Sequence, residues 1–286
     1  MNSKKILVAG ATGYLGRYIA QVLQEKGYDT TIIVRNTERL KQKQISANSI
    51  IQAELTDPKS IIGCCEGIDV VISTVGITKQ KEGFSYMDVD YQANANLLHE
   101  AQKSKVSKFI YISVLNGDKL TNLKICEAKE RFVKALKNSE LDYCIVRPNG
   151  FFSDLGEVFE MAKNGRAYIF GDGNLKINPI HGYDLATFCV EMIENQIQET
   201  EVGGPQILTQ RQIAEIAFEV QHKPQKITYI PDWFRKFLIS TARLFLSSKT
   251  FGPIEFFMTT LSMEMIAPQY GKRTLKGFFE ELNLKK

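Results

Sequence analysis

Lys4-Lys5-Ile6-Leu7-Val8-Ala9-Gly10-Ala11-Thr12-Gly13-Tyr14-Leu15-Gly16-Arg17 is the stretch on which the reading of the chain turns. Ile6 to Ala9 is an apolar run of the buried-strand type, and three glycines at three-residue spacing follow it. Leu15, Ile19, Val22 and Leu23 then recur at helical intervals, so the order is strand, tight turn, helix. Glycine lets a backbone turn sharply and approach a ligand, and a helix N-terminus presents N–H groups to a pyrophosphate. The spacing is Gly-x-x-Gly-x-x-Gly, so the general dinucleotide fingerprint is met only approximately. A purely structural turn would accept the same glycines. Their place between a strand and a helix favours a cofactor.

Downstream, the pattern repeats. Strands are expected at 30–34, 49–53, 69–75, 108–113 and 141–147, and helical segments at 37–44, from Asp57-Pro58, at 87–104 and at 123–138. Strands alternating with helices imply right-handed crossovers and a parallel sheet covered on both faces. The expected fold is α/β, a doubly wound parallel Rossmann sheet with the first strand–helix turn at its switch point. Residues 1–150 would form this core. Residues 151–286 read as a mostly helical substrate-side region of the same body, with helices at 151–164, 183–194, 209–220, 233–246, 254–265 and 275–282.

Composition excludes several classes. Of 286 residues, 44% are hydrophobic and 24% charged, an ordinary globular balance with room for a sizeable core. The net charge of +4 is scattered, without a basic block interleaved with aromatics, so no nucleic-acid partner is expected. Five dispersed cysteines, with only Cys64 and Cys65 adjacent, suit neither a disulfide framework nor a metal site. The three histidines, at 99, 181 and 222, add no metal site. No uncharged run is long enough to span a bilayer. The first strand starts almost at once, leaving no room for a signal peptide, and a cytoplasmic protein is expected.

The second strand indicates which dinucleotide is preferred. An NAD site carries an acid near its end to hold the ribose 2′-hydroxyl. Here the residues are Ile33-Val34-Arg35-Asn36. A guanidinium there matches a 2′-phosphate, and Arg17 after the third glycine adds a second positive charge. NADP(H) is therefore expected over NAD(H).

Gly10-Ala-Thr-Gly-Tyr-Leu-Gly-Arg17, Val34-Arg-Asn36, Val71-Ile-Ser-Thr-Val-Gly76, Tyr111-Ile-Ser113, Arg147-Pro-Asn-Gly-Phe151 and Gly203-Gly-Pro205 together resemble the atypical short-chain dehydrogenase/reductase superfamily. The likeness covers nearly the whole chain and is strongest to the NmrA-like and divinyl-chlorophyllide-reductase-like branch, which also includes quinone-linked and photosystem- or respiratory-complex-associated members. It implies cofactor contacts from Gly10, Thr12, Gly13, Tyr14, Leu15, Gly16, Arg17 and Arg35. It further implies Glu54 and Leu55 beside the adenine, where relatives often carry Asp-Leu-x-Asp, then Thr74, Val75 and Gly76, and Ser113 and Lys129. Pro148, Asn149, Gly150 and Phe151 would approach the nicotinamide end. Most of the superfamily is expected to use a Tyr-x-x-x-Lys pair with a preceding Ser. Ser113 and Lys129 stand in those places, and Ile125 stands where the Tyr should be.

Three readings of this centre follow. Lys129 is itself the acid/base, its pKa lowered by desolvation, as in isoflavone-reductase-like relatives. Alternatively, a quinone, flavin or conjugated alkene takes the hydride, and water or the substrate supplies the proton. In the third, the site binds NADP(H) without turnover and acts on a protein partner as a regulator or assembly factor. Lys129 on a highly charged helix also reads as a surface residue, and Ser113 as a strand-end hydroxyl. His181 and Asp184 at a helix start read as structural. Trp233 to Ile239 and Leu244 to Leu246 carry aromatic and aliphatic residues beside Arg235, Lys236 and Arg243. They read as a helix packed on the sheet ends, a lid over a small hydrophobic substrate, or a peripheral membrane contact.

Overall fold

The computed structural model describes residues 3–77, 83–246 and 248–284. Contacts divide the chain into two units, Met1–Arg147 with Leu185–Thr200, and Pro148–Asp184 with Glu201–Lys286. The chain thus leaves the first unit close to residue 150 and re-enters it once.

In the first unit, β1 (Lys5–Ala9), β2 (Asp29–Val34), β3 (Ser49–Gln52), β4 (Val70–Ser73), β5 (Lys108–Ile112) and β6 (Asp142–Pro148) alternate with α1 (Tyr14–Glu25), α2 (Glu38–Lys43), α3 (Asn94–Lys103) and α4 (Lys124–Lys137). Ile6 to Ala9 are completely buried, as an inner strand covered on both faces requires. β1 pairs in parallel with β2 from Lys5↔Asp29 and with β4 from Ile6↔Val70, so the strand order reverses beside it. Ligands of open α/β sheets bind outside the carboxyl ends of the strands at this reversal. The apolar stripe Leu15, Ile19, Val22 and Leu23 of α1 is buried as its periodicity predicts. A core containing Leu7, Val71, Leu97, Phe109, Tyr111 and Phe132 lies under α3 and α4.

Later in the chain come β7 (Ala167–Phe170), β8 (Lys176–Ile177), β9 (Glu199–Val202), β10 (Leu208–Thr209) and β11 (Ile227–Ile230). The main sheet has the order β3-β2-β1-β4-β5-β6-β9, a doubly wound Rossmann-like arrangement. β7 pairs with β11 and β8 with β10. The helices of this part are α5 (Gly156–Lys163), α6 (Gly182–Glu191), α7 (Gln210–Val220), α8 (Asp232–Phe245), α9 (Ser248–Thr260) and α10 (Leu275–Leu284). Phe159, Phe218 and Phe279, from α5, α7 and α10, fill the second core. Thr209 caps α7 reciprocally with Gln212, the two-way bond that stops a helix from fraying. Among the described residues no helix is long and apolar enough to cross a membrane.

Three expectations are corrected. No helix follows Asp57-Pro58: residues 56–67 form successive turns closed by i+3 to i backbone bonds, with Gly63 and Gly67 at φ +76° and +68°. Positive φ at both glycines breaks helical continuation. The helix from Met87 is not uniform, since Met87–Ala93 is wound as a π-helix before α3 begins. The helix placed at 254–265 is α9, which starts earlier and carries Pro253 inside it.

Candidate cofactor and active site

Gly10 takes φ +85° at the end of β1, and Gly13 N–H donates to the Gly10 carbonyl (2.9 Å), closing the turn. Space is as restrictive as conformation. A Cβ on Gly10 would lie 2.5 Å from Thr74 Oγ1, and one on Gly16 would lie 2.2 Å from the Gly10 carbonyl oxygen. Thr74 Oγ1 donates to the Ala9 carbonyl (3.1 Å), tying the loop after β4 to the glycine turn. At the start of α1, Gly13 occupies the cap with no side chain, and the first turn carries no acid. The first-turn amides of any helix lack acceptors within it, and an anion is what suits them. Arg17 stacks on Tyr14 and Tyr18, its guanidinium carbon 5.4 and 4.8 Å from the ring centroids. Its buried Nε has no partner among the described residues. Uncapped helix start, close-packed glycines and orphaned Arg17 Nε fit a bound dinucleotide pyrophosphate.

At the ends of β2 and β3, Arg35 Nη1 stands 3.7 Å from Glu54 Oε2, the arginine exposed and the glutamate half-buried. Such a pair contributes at most about 1 kcal/mol and releases its guanidinium to a better anion. Lys43 of α2 donates to the Thr12 carbonyl (2.5 Å), a cation beside the turn that periodicity alone did not single out. The Leu55 carbonyl accepts from buried Asn96, which fixes the backbone next to Glu54.

Lys129 is not a surface residue. Its side chain is 14% exposed, and its Nζ lies 2.9 Å from Oδ1 of the fully buried Asp90. Asp90 Oδ2 accepts from Ile77 N–H (3.1 Å). A Cβ on Gly76 would touch Asp90 Oδ1 at 2.5 Å and Lys129 Nζ at 2.9 Å, so the loop after β4 lies directly against the pair. Burial alone would lower the Lys129 pKa, but Tyr111 and Asp90 outweigh it and hold the ammonium above the ordinary lysine value. The expectation of a Lys129 pKa lowered by desolvation is therefore corrected. Tyr111, fully buried in β5, has its phenol pushed up to about 12 by burial, with the Lys129 charge pulling the other way. Complete burial raises Asp90, and Lys129 draws it back.

Ser113 is committed elsewhere. Its hydroxyl donates to Glu130 Oε1 (3.2 Å) and lies 3.5 Å from Arg147 Nη1, inside an ion network. Pro148, Asn149, Gly150 and Phe151 belong to the second unit. There the Asn149 amide donates to Asn178 Oδ1 (2.8 Å) and to the Met265 carbonyl (2.5 Å), and Phe151 N–H donates to Asp154. Asp184 accepts from the backbone of Lys272 and Arg273 and pairs with the Arg273 guanidinium at 2.6 Å, the structural role read from its position.

Asp90 and Asn94 were not legible as site residues. Both are fully buried and one turn apart. Asn94 accepts from Ser73 Oγ (2.6 Å) and donates to the carbonyls of Val75 and Asp90. The available signal was a pair of polar residues four apart on a face that should be apolar.

A family model described as NAD(P)H-binding matches residues 10–196, which span the glycine turn, both arginines, Asp90 and Lys129. The chain belongs to this NAD(P)H-binding family. Within the family, it is 30% identical to the divinyl chlorophyllide a 8-vinyl-reductase of Arabidopsis thaliana, over 97% of this chain and 76% of the relative. It is 25% identical to the photosystem II assembly factor Ycf39 of Trieres chinensis, over 79% of this chain and 72% of the relative. The NADPH-dependent quinone oxidoreductase of Escherichia coli, solved with NADPH, shares the fold with a TM-score of 0.72 at 17% identity, covering 97% and 99% of the two chains. Family membership assigns NAD(P)H binding to this chain, and the glycine turn lies within the matched residues.

Proposed function

We propose that this chain is an NADPH-dependent reductase that delivers hydride to a small hydrophobic acceptor, of the quinone, flavin or enone class, with Lys129 in place of a tyrosine as acid. The observation that carries the reading is the buried Asp90–Lys129 pair against Gly76, in the same unit as the glycine turn. Burying two charges is costly and rarely favours stability by itself, whereas charged pairs of this kind cluster where chemistry needs them. The nicotinamide supplies the hydride when bound. Lys129, held as an ammonium, then offers a proton and a positive charge to the acceptor, and does not act as a neutral base. A reductase acting on a vinyl group among the relatives supports a conjugated alkene as one acceptor.

The test is NADPH oxidation with a panel of quinones, flavins and enones. Lys129→Met is expected to lower kcat by about 10²- to 10⁴-fold, the usual range for a positioned proton donor. Unchanged kcat removes Lys129 from the mechanism.

Cofactor preference has its own measurement. With Arg35 at the end of β2, Arg35→Ala is expected to weaken NADPH binding by roughly 10- to 100-fold and NADH by less than about 3-fold, the scale of one or two charge-assisted hydrogen bonds. Equal loss for the two nucleotides would sink the assignment.

One observation favours the second reading, a cofactor-binding assembly factor or regulator. α8 turns its apolar residues outward, with Trp233 67% and Leu244 and Phe245 81% exposed, while Arg235 is buried on Asp232 and the Met258 carbonyl. That face suits a protein partner or a membrane surface. Tight NADPH binding with no turnover of any acceptor would favour it, and a lipid-flotation assay that leaves all protein unbound removes the membrane version.

A further inference from the structure

Asp90 is the buried charge that neither family membership nor sequence pattern explains. It sits in the π-wound segment Met87–Ala93, whose wider turn inserts a residue relative to an α-helix and re-aims the side chains that follow. Asp90 and Asn94 both point under the loop after β4. Asp90 binds Ile77 N–H and Lys129, and Asn94 binds Ser73 and the Val75 carbonyl. Gly76, between those backbone contacts, has no room for a Cβ because the pair fills the space. The loop, the π-wound segment and α4 are thus fastened together at one point, the Asp90 carboxylate.

We infer that Asp90 is the positioning residue of this site, fixing the Lys129 ammonium beside Gly76 and keeping it a cation through the neutral range. The inference deepens the reductase reading and rests on it for the use to which Lys129 is put, but the anchoring itself stands on the geometry. The titratable groups facing Lys129 are Asp90 from the π-wound segment, Tyr111 from β5 and Cys126 from α4, with Glu130 further along that helix acting on the same cluster. Of these, only Asp90 makes an ion pair with Lys129. The consequence is directional: the site can give a proton or hold a negative charge, and it cannot take a proton through Lys129 near neutrality.

The experiment uses the full chain labelled with ¹⁵N-lysine, with the Lys129 Nζ signal identified by its loss in Lys129→Met. In the parent protein that signal is expected not to titrate between roughly pH 6 and 10. In Asp90→Asn the midpoint is expected to fall by at least about one unit, and acetylation of Lys129 at fixed pH to accelerate about tenfold, since one unit is tenfold in neutral amine. A parent midpoint inside that window, or an Asp90→Asn midpoint equal to the parent's, overturns the inference. Should Asp90→Asn fail to fold, the parent titration decides, together with Asp90→Glu, which keeps the carboxylate and is expected to keep the raised midpoint. Neither readout needs turnover. Loss of NADPH oxidation with every acceptor, alongside the expected Lys129 titration, would remove the reductase reading and leave the role of Asp90 standing.

Discussion

Gly16→Ala is expected to raise the Kd for NADPH at least about 100-fold, a loss of roughly 2.7 kcal/mol. The new Cβ would stand 2.2 Å from the Gly10 carbonyl oxygen, 2.7 Å from the Gly10 carbonyl carbon and 2.8 Å from the Ala11 Cα. All three are backbone atoms of the turn, so no side chain can rotate away. α1 must retreat, and its first-turn amides move with it. Pyrophosphate binding depends on those amides being within hydrogen-bond range, which an ångström of retreat removes. Overpacking of this kind also costs about 1–3 kcal/mol of stability. Gly13→Ala makes the internal control, because its Cβ would meet only the Gly10 carbonyl oxygen at 3.1 Å. A smaller loss is expected there. Fluorescence titration with NADPH measures both variants, and a thermal melt separates unfolding from lost affinity. Gly16→Ala binding NADPH within about threefold of the parent would move the cofactor away from this turn.

The same glycine turn explains why much of the fold could be read from the sequence. Ile6 to Ala9 are apolar at every position because β1 is covered on both faces, and α1 carries its apolar stripe at a helical period. Local pattern and tertiary position agree there, and right-handed crossovers limit how the flanking strands can be placed. Legibility fails where position overrides pattern. β9 reads Glu-Thr-Glu-Val, a mostly polar edge strand that joins the sheet after the chain has left the first unit and returned. Nothing local distinguishes it from a loop. The candidate site divides in the same way. Gly10, Gly13, Gly16 and Arg35 are tied to local turns and strand ends, and the sequence locates them. The sequence locates Lys129 too, but not its burial or its partner, because a helix rich in Glu, Lys and Arg gives no sign that one lysine points inward to a carboxylate 39 residues earlier. That distinction needs three dimensions. Glu130, its neighbour on the same helix, was hidden for the same reason.

Arg147→Met isolates that second buried charge and is expected to produce a large loss of stability. Arg147 is 5% exposed and forms a bidentate pair with Glu130, at 2.6 Å from Nη1 to Oε1 and 2.9 Å from Nη2 to Oε2, while Nε donates to Glu199 Oε1 at 2.6 Å. Both carboxylates lose their guanidinium in the variant. Glu130, whose side chain is 13% exposed, is left with little water to replace it. Breaking a buried pair from one side costs about 3–5 kcal/mol. For a chain of this size that corresponds to a melting temperature lower by roughly 6–20 °C. The pH dependence carries the diagnosis. Burial pushes the Glu199 carboxyl up, but hydrogen bonds from Lys137 and Arg147 win and hold it below the usual glutamate range. A carboxyl depressed in the folded state adds stability above its unfolded pKa and loses it as pH falls through the folded value. The Glu199 share is modest, since that side chain is 35% exposed and screened by water. The gap between parent and Arg147→Met should therefore be widest near neutrality and narrow in acid, as Glu199 takes up its proton. Arg147→Met combined with Glu130→Gln removes the orphaned charge and is expected to recover part of the loss. Melting curves from roughly pH 4 to 8, bracketing the glutamate range, decide the matter: a small, pH-independent drop, unrelieved by Glu130→Gln, would mean that Arg147 serves packing and not charge.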